Sequence, residues 1–93
     1  MSFRIYLSGH LKSFSNGQTE VCVLGHHKAV GDILASLWRE HPSLRDRILN
    51  EQGEIREHVN LYYQGADVRR LRGLHTTIEA DGELHIFNAV SGG

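Results

Sequence analysis

Glu83-Leu84-His85-Ile86-Phe87-Asn88-Ala89-Val90-Ser91-Gly92-Gly93 is the stretch on which the reading of this chain turns. Its first half alternates as a strand does, with Leu84 and Ile86 facing one side and His85 and Phe87 the other. Its second half closes on two glycines, which add no packing, cost conformational entropy when held and carry no side-chain chemistry. A glycine pair straight after a strand makes sense as a thin arm, Val90-Ser91-Gly92-Gly93, whose terminal carboxylate can be threaded through a narrow channel into another protein's active site. A frayed terminus is the alternative reading of the same residues. The residues upstream decide between the two.

Ninety-three residues make one small domain with a single modest core, too small for an enclosed active site with its supporting shells. Hydrophobic residues at 40% and charged residues at 23% are ordinary globular values, so a packed core is expected. The net charge of -1 comes from interspersed acids and bases, which predicts neither nucleic acid nor an anionic membrane as partner. The single cysteine, Cys22, excludes an internal disulfide and fits a reducing cytoplasm. No apolar run is long enough to span a bilayer, and Met1-Ser2-Phe3-Arg4 lacks the features of a signal peptide. The expectation is a soluble cytoplasmic protein.

Phe3-Arg4-Ile5-Tyr6-Leu7 alternates, burying Phe3, Ile5 and Leu7 and turning Arg4 and Tyr6 outward. Residues 8–19 carry Gly9, Asn16, Gly17 and serines, the chemistry of a longer hairpin loop. Glu20-Val21-Cys22-Val23-Leu24 returns as a second strand. After Gly25 the period changes: Val30, Ile33, Leu34, Leu37 and Trp38 form the apolar stripe of a helix lying on a sheet. Pro42 ends that helix at Glu40 or His41, and Ser43-Leu44-Arg45-Asp46-Arg47-Ile48-Leu49 reads as a short second helical segment. His58-Val59-Asn60-Leu61-Tyr62-Tyr63 alternates again, with Val59, Leu61 and Tyr63 inward, and Gln64-Gly65 is a turn. Val68, Leu71, Leu74 and Ile78 are spaced irregularly, as short strands or helical turns. Asp81-Gly82 signals a sharp turn before the last strand. The order describes an α+β domain over residues 1–89, a mixed sheet of four to five strands with one main helix across it, followed by the tail 90–93. A first and a last strand meeting in the middle of such a sheet would launch the tail from its edge.

Three segments, in this order, resemble a known family, the ubiquitin-like β-grasp sulfur carriers of the MoaD/ThiS type. They are Val59-Asn60-Leu61-Tyr62-Tyr63-Gln64-Gly65-Ala66-Asp67-Val68-Arg69, Gly73-Leu74-His75-Thr76-Thr77-Ile78 leading to Asp81-Gly82, and Ile86-Phe87-Asn88-Ala89-Val90-Ser91-Gly92-Gly93. Leu84-His85-Ile86 also resembles ubiquitin. The family often has Asn where Gln64 stands, Asp where Glu83 stands and Pro where Asn88 stands; the last change removes stiffness at the root of the tail. The resemblance implies that the Gly93 carboxylate is activated by an ATP-dependent ubiquitin-activating-type adenylyltransferase and converted to a thiocarboxylate. No cofactor is bound by the chain itself: ATP is used by the partner, and sulfur is carried covalently at Gly93. It implies that Gly92 and Gly93 are bare because any Cβ would collide in the partner's channel. The further partners implied are a sulfur-accepting synthase and a JAMM-type metalloprotease, in cysteine or related amino-acid biosynthesis first, with molybdopterin, thiamine or a secondary metabolite as other branches. The alternative role is a protein modifier conjugated through Gly93 to target lysines. On either role the chain is a cosubstrate and not an enzyme, because no nucleophile, base and oxyanion donor can be assembled from these residues.

The outward positions supply a docking candidate. Tyr62, His85 and Phe87 fall side by side on the face away from the helix, with Tyr6 as a further member, and aromatics are enriched among interface anchors. Seven histidines raise the question of a metal, but none recurs at a helical i, i+4 step, so no metal site is expected. Cys22 reads as a small core hydrophobe, or points outward if Val21 and Val23 take the inside. Trp38 is expected on the helix's inner stripe, and Asp67, Arg69, Arg70 and Arg72 as a solvated charged run.

Overall fold

The computed structural model describes residues 2–79 and 81–88. The expected tail, Val90, Ser91, Gly92 and Gly93, and the domain boundary drawn at 89/90 lie outside the described residues.

Strand β1, Ser2–Leu7, buries Phe3, Ile5 and Leu7 as its alternation requires. It pairs antiparallel with β2, Glu20–Leu24, in a register that sets Phe3 against Val23 and Ile5 against Val21. Helix α1, Val30–Glu40, follows and lays Val30, Ile33, Leu34 and Leu37 on the sheet, each 1% exposed or less. The Asp32 carboxylate accepts from the Lys28 and Ala29 amides at 3.1 and 3.0 Å, satisfying donors that the start of a helix leaves free. The helix ends at His41 before Pro42, and Pro42 opens the second helix, α2, Pro42–Ile48, where its missing N–H costs nothing. Strand β3, Val59–Tyr63, runs through the two-residue turn Gln64-Gly65 into the short β4, Ala66–Asp67. Gln64 and Gly65 both have positive φ, 51° and 82°, the pair that a tight hairpin with native twist demands. Strand β5, Gly82–Asn88, inserts between β1, to which it is parallel, and β3, to which it is antiparallel. The five strands therefore lie in the order β2-β1-β5-β3-β4. Ile5, Leu84 and Tyr63 form one buried row across the middle strands, and Leu7, Ile86 and Leu61 the next.

The structure changes the expectation at four places and, at Cys22, decides between the two orientations that the sequence left open. Residues 8–19 are not an open hairpin loop: Gly9–Phe14 winds into a 3-10 turn that buries Leu11, and the fully buried Ser15 hydroxyl donates to the Gln18 carbonyl at 2.6 Å. Gly82 is not a turn residue but the first residue of β5, with no positive φ. Cys22 is exposed, because Val21 and Val23, 4% and 5% exposed, take the inner face and period-two alternation sends the residue between them outward. Trp38 packs at the edge of the core and is half-buried. Arg69 is anchored and not merely solvated: its guanidinium donates to the Arg56 carbonyl at 2.6 Å and to Asn60 Oδ1 at 3.4 Å, while Asp67 caps its amide at 2.9 Å.

Candidate partner-docking face

With α1 covering one side of the sheet, the other side faces solvent, and the register decides what stands beside what. Tyr6 of β1 pairs with Glu20 of β2 and with His85 of β5; His85 pairs with Tyr62 of β3, which pairs with Asp67 of β4. One row, Glu20–Tyr6–His85–Tyr62–Asp67, thus crosses all five strands, aromatic in its middle and acidic at both ends. The Tyr6 and His85 rings stack at 4.7 Å with 19° between their planes. Phe87, one step along β5, meets the Tyr62 ring at 5.4 Å and is 37% exposed. The four aromatic positions expected to cluster therefore share one face as two ring pairs, Tyr6 on His85 and Tyr62 on Phe87, set beside each other by the register of His85 with Tyr62.

Charged groups border it. Cys22, Arg4 and Glu83 form the adjacent row. The Glu83 carboxylate accepts from the Tyr6 hydroxyl at 3.3 Å and lies 3.4 Å from His85 Nε2. The neighbouring Tyr6 oxygen, with Glu20, holds the Arg4 guanidinium above its ordinary value. Arg4 in turn pulls the Tyr6 phenol down, but Glu20, partial burial and Glu83 together outweigh it and leave the phenol above its usual range. Between β5 and the β3–β4 turn, Tyr62, Gln64, Gly65, Glu83, His85 and Phe87 line an open groove of about 550 Å³. The Gln64 carboxamide forms its wall, reaching across the turn so that Oε1 accepts from the Glu83 amide at 2.9 Å. It lies over Gly82, where a Cβ would overlap it.

Glu83, Gln64, Glu20 and Arg4 were not picked out as site residues from the sequence. Alternation alone marks them as outward; the register that makes them neighbours of the aromatic row follows only from strand order. Among the described residues no group of three His, Cys, Asp or Glu side chains is placed to hold a metal ion. His27 is buried instead, with Nε2 3.1 Å from the Ser36 hydroxyl and its ring edge-on to Phe3. No helix among the described residues is long and apolar enough to cross a membrane.

A mixed sheet with its first and last strands parallel in the middle and one helix across it is the ubiquitin-like β-grasp fold. The chain belongs to the ThiS family, which it matches over residues 5–93. It is 38% identical to small archaeal modifier protein 3 of Haloferax volcanii over 64 residues, 69% of this chain and 68% of the relative. Over its whole length it superposes on the crystal structure of SAMP1 from the same organism with a TM-score of 0.84 at 31% identity, covering all of both chains. The Amycolatopsis orientalis BexX/CysO complex provides a further neighbour, with a TM-score of 0.84 over 98% of this chain and 99% of that one; at 23% identity it speaks for the fold alone.

Proposed function

We propose that this protein is a ubiquitin-like sulfur carrier whose Gly93 carboxylate is adenylated by a ubiquitin-activating-type enzyme and then converted to a thiocarboxylate. The observation that carries the reading is the build of β5. One strand presents His85 and Phe87 on an exposed aromatic face and runs on in sequence into 89–93, so a partner docked there lies beside the segment it must act on. A free carboxylate is a poor electrophile. ATP supplies an adenylate leaving group, pyrophosphate departs, and attack by a sulfur donor at the carbonyl carbon expels AMP and leaves sulfur on Gly93. The tethered sulfur is then a nucleophile for a sulfur-accepting synthase without release of free sulfide. Cysteine or a related amino acid is the favoured product, with a JAMM-type metalloprotease freeing it from the carrier. Catalysis belongs to these partners and the chain binds no cofactor of its own. A cytoplasmic location agrees with the free thiol of Cys22.

A second reading has its own support. Both curated relatives, at 38% and 36% identity, are named as small archaeal modifiers, which favours transfer of the activated Gly93 carbonyl to a lysine amine, with AMP as the group expelled. Activation is common to both roles and the acceptor differs. Intact mass spectrometry of the protein from its native cells, without reducing or alkaline steps, separates them. A gain of the oxygen-to-sulfur mass difference at Gly93 establishes the carrier. A free carboxylate alongside branched peptides that join the segment ending at Gly93 to lysines of other proteins makes conjugation the primary role, and the absence of both signals refutes both readings. Phe87→Asp is expected to weaken adenylation while leaving the melting temperature unchanged; unaltered activation kinetics would remove the docking face from the account.

A further inference from the structure

The groove beside the aromatic row has the chemistry of a receptor for one planar cation. Its floor is aromatic. The Tyr62 and Phe87 rings brace each other at 5.4 Å, and Tyr6 covers one face of His85 at 4.7 Å, so these rings keep their positions and offer their remaining faces to solvent. Its wall is preformed, since the Gln64 side chain is held by one hydrogen bond, Oε1 accepting from the Glu83 backbone amide at 2.9 Å, while the Gln64 backbone N–H ties the turn to β5 by donating to the Glu83 carbonyl at 3.2 Å. Its charge is a carboxylate. Glu83 is only loosely held, by the Tyr6 hydroxyl at 3.3 Å and His85 at 3.4 Å, and makes no ion pair with a lysine or arginine among the described residues. A carboxylate has about four acceptor positions, so room remains for two more N–H donors.

Aromatic faces next to an acceptor-hungry carboxylate suit a guanidinium. It can lie flat on a ring while its fork meets the two oxygens, whereas an ammonium can do only one of these well. We propose that this groove receives an arginine side chain of the activating enzyme, with Glu83 as the carboxylate partner and Tyr62 and Phe87 as the stacking surface. The enzyme is the occupant because the groove lies along β5, the strand that leads into 89–93, and because the row it borders ends in acids on both sides, Glu20 and Asp67, which complement a basic surface. The inference rests on the outer face being the docking side, as argued above.

Two measurements test it separately from the function. In the first, the full 15N-labelled chain is titrated with N-acetyl-arginine amide, and with N-acetyl-lysine amide as control. Saturable amide shifts confined to Gln64, Glu83, His85 and Phe87, weaker by several-fold with the lysine compound and in Glu83→Gln, support the groove. Scattered shifts, or shifts that ignore Glu83→Gln, overturn it. In the second, ATP–pyrophosphate exchange is followed with the ubiquitin-activating-type adenylyltransferase of the source organism. Glu83→Gln is expected to raise the KM for the carrier roughly tenfold with kcat unchanged, the pattern of a lost docking contact. An unchanged KM overturns the proposal while leaving the carrier function standing. Failure of the wild-type chain to be adenylated refutes the function instead, and the amide titration then decides the groove alone. Self-association that Glu83→Gln abolishes would assign the arginine to a second copy and overturn the enzyme as occupant.

Discussion

Gly82→Ala separates what holds the sheet from what builds the groove. Gly82 lies in extended backbone that alanine adopts without strain, and the atoms nearest the added methyl are those of the Gln64 carboxamide. Two effects then compete. Restricting the unfolded chain stabilises the variant by about 0.4–1 kcal/mol. Displacing Gln64 breaks the exposed 2.9 Å hydrogen bond to the Glu83 amide, a loss of about 0.5–1.5 kcal/mol. The Gln64 side chain is free to swing into solvent, so the net change lies between a gain of about 0.5 and a loss of about 1 kcal/mol, a shift in Tm of at most roughly 4–8 °C for a domain of this size. The groove nevertheless loses its wall. Thermal denaturation followed by circular dichroism reads the first effect, and faster hydrogen exchange at the Glu83 amide reads the second. A double-mutant cycle sharpens the test: in a Gln64→Ala background there is no carboxamide to displace, and Gly82→Ala should become stabilising. A single-variant loss above about 3 kcal/mol, or an effect of Gly82→Ala that is equal in both backgrounds, would refute the claim that Gly82 is bare for the sake of Gln64.

Leu61→Ala, at a fully buried position beside Ile86, is expected to cost about 2–5 kcal/mol in urea unfolding, because the rows on either side of β3 cannot close the cavity. Thr76→Val leaves the Arg72 amide and the Gly73 carbonyl without the hydroxyl that serves both, at 3.1 and 2.7 Å, and should destabilise by about 1–3 kcal/mol while the far-ultraviolet spectrum is preserved. The Tyr6 phenol sits above the ordinary value of 10.0, so the folded chain holds this proton more tightly than the unfolded one. The associated stability is complete below that pH and is lost as pH rises through the folded value. Ultraviolet titration should show Tyr6 ionising at lower pH in Glu20→Gln; no movement would show that the carboxylate is not the cause.

Much of the architecture is legible locally. The alternation of Phe3, Ile5 and Leu7, the three-four spacing of Val30, Ile33, Leu34 and Leu37, and the left-handed pair Gln64-Gly65 each specify an element through neighbours within a few residues. The aromatic face was legible too, because Tyr6, Tyr62, His85 and Phe87 each follow from strand parity alone. Asp81-Gly82 was half legible: the chain does bend at Asp81, but Gly82 already belongs to β5. A glycine after an aspartate reads as a turn, but Gly82 is required by a side chain 18 positions earlier in sequence, a contact that no local pattern encodes. Arg69 is similar: its anchor is the Arg56 carbonyl, brought within reach only when the chain between α2 and β3 has folded against β4.

The sequence by itself determined which residues turn inward, where the first helix stops and four of the five strands, since these depend on side-chain period, on proline and on local turn geometry; the two-residue β4 is too short to show a period. Only the tertiary structure decided that β5 lies between β1 and β3. That placement turns separate outward residues into a row from Glu20 to Asp67 and sets Glu83 among rings contributed by three strands. The physical reason is that a strand's parity is set by its own residues, whereas its neighbours are chosen by burial of the whole inner face under α1.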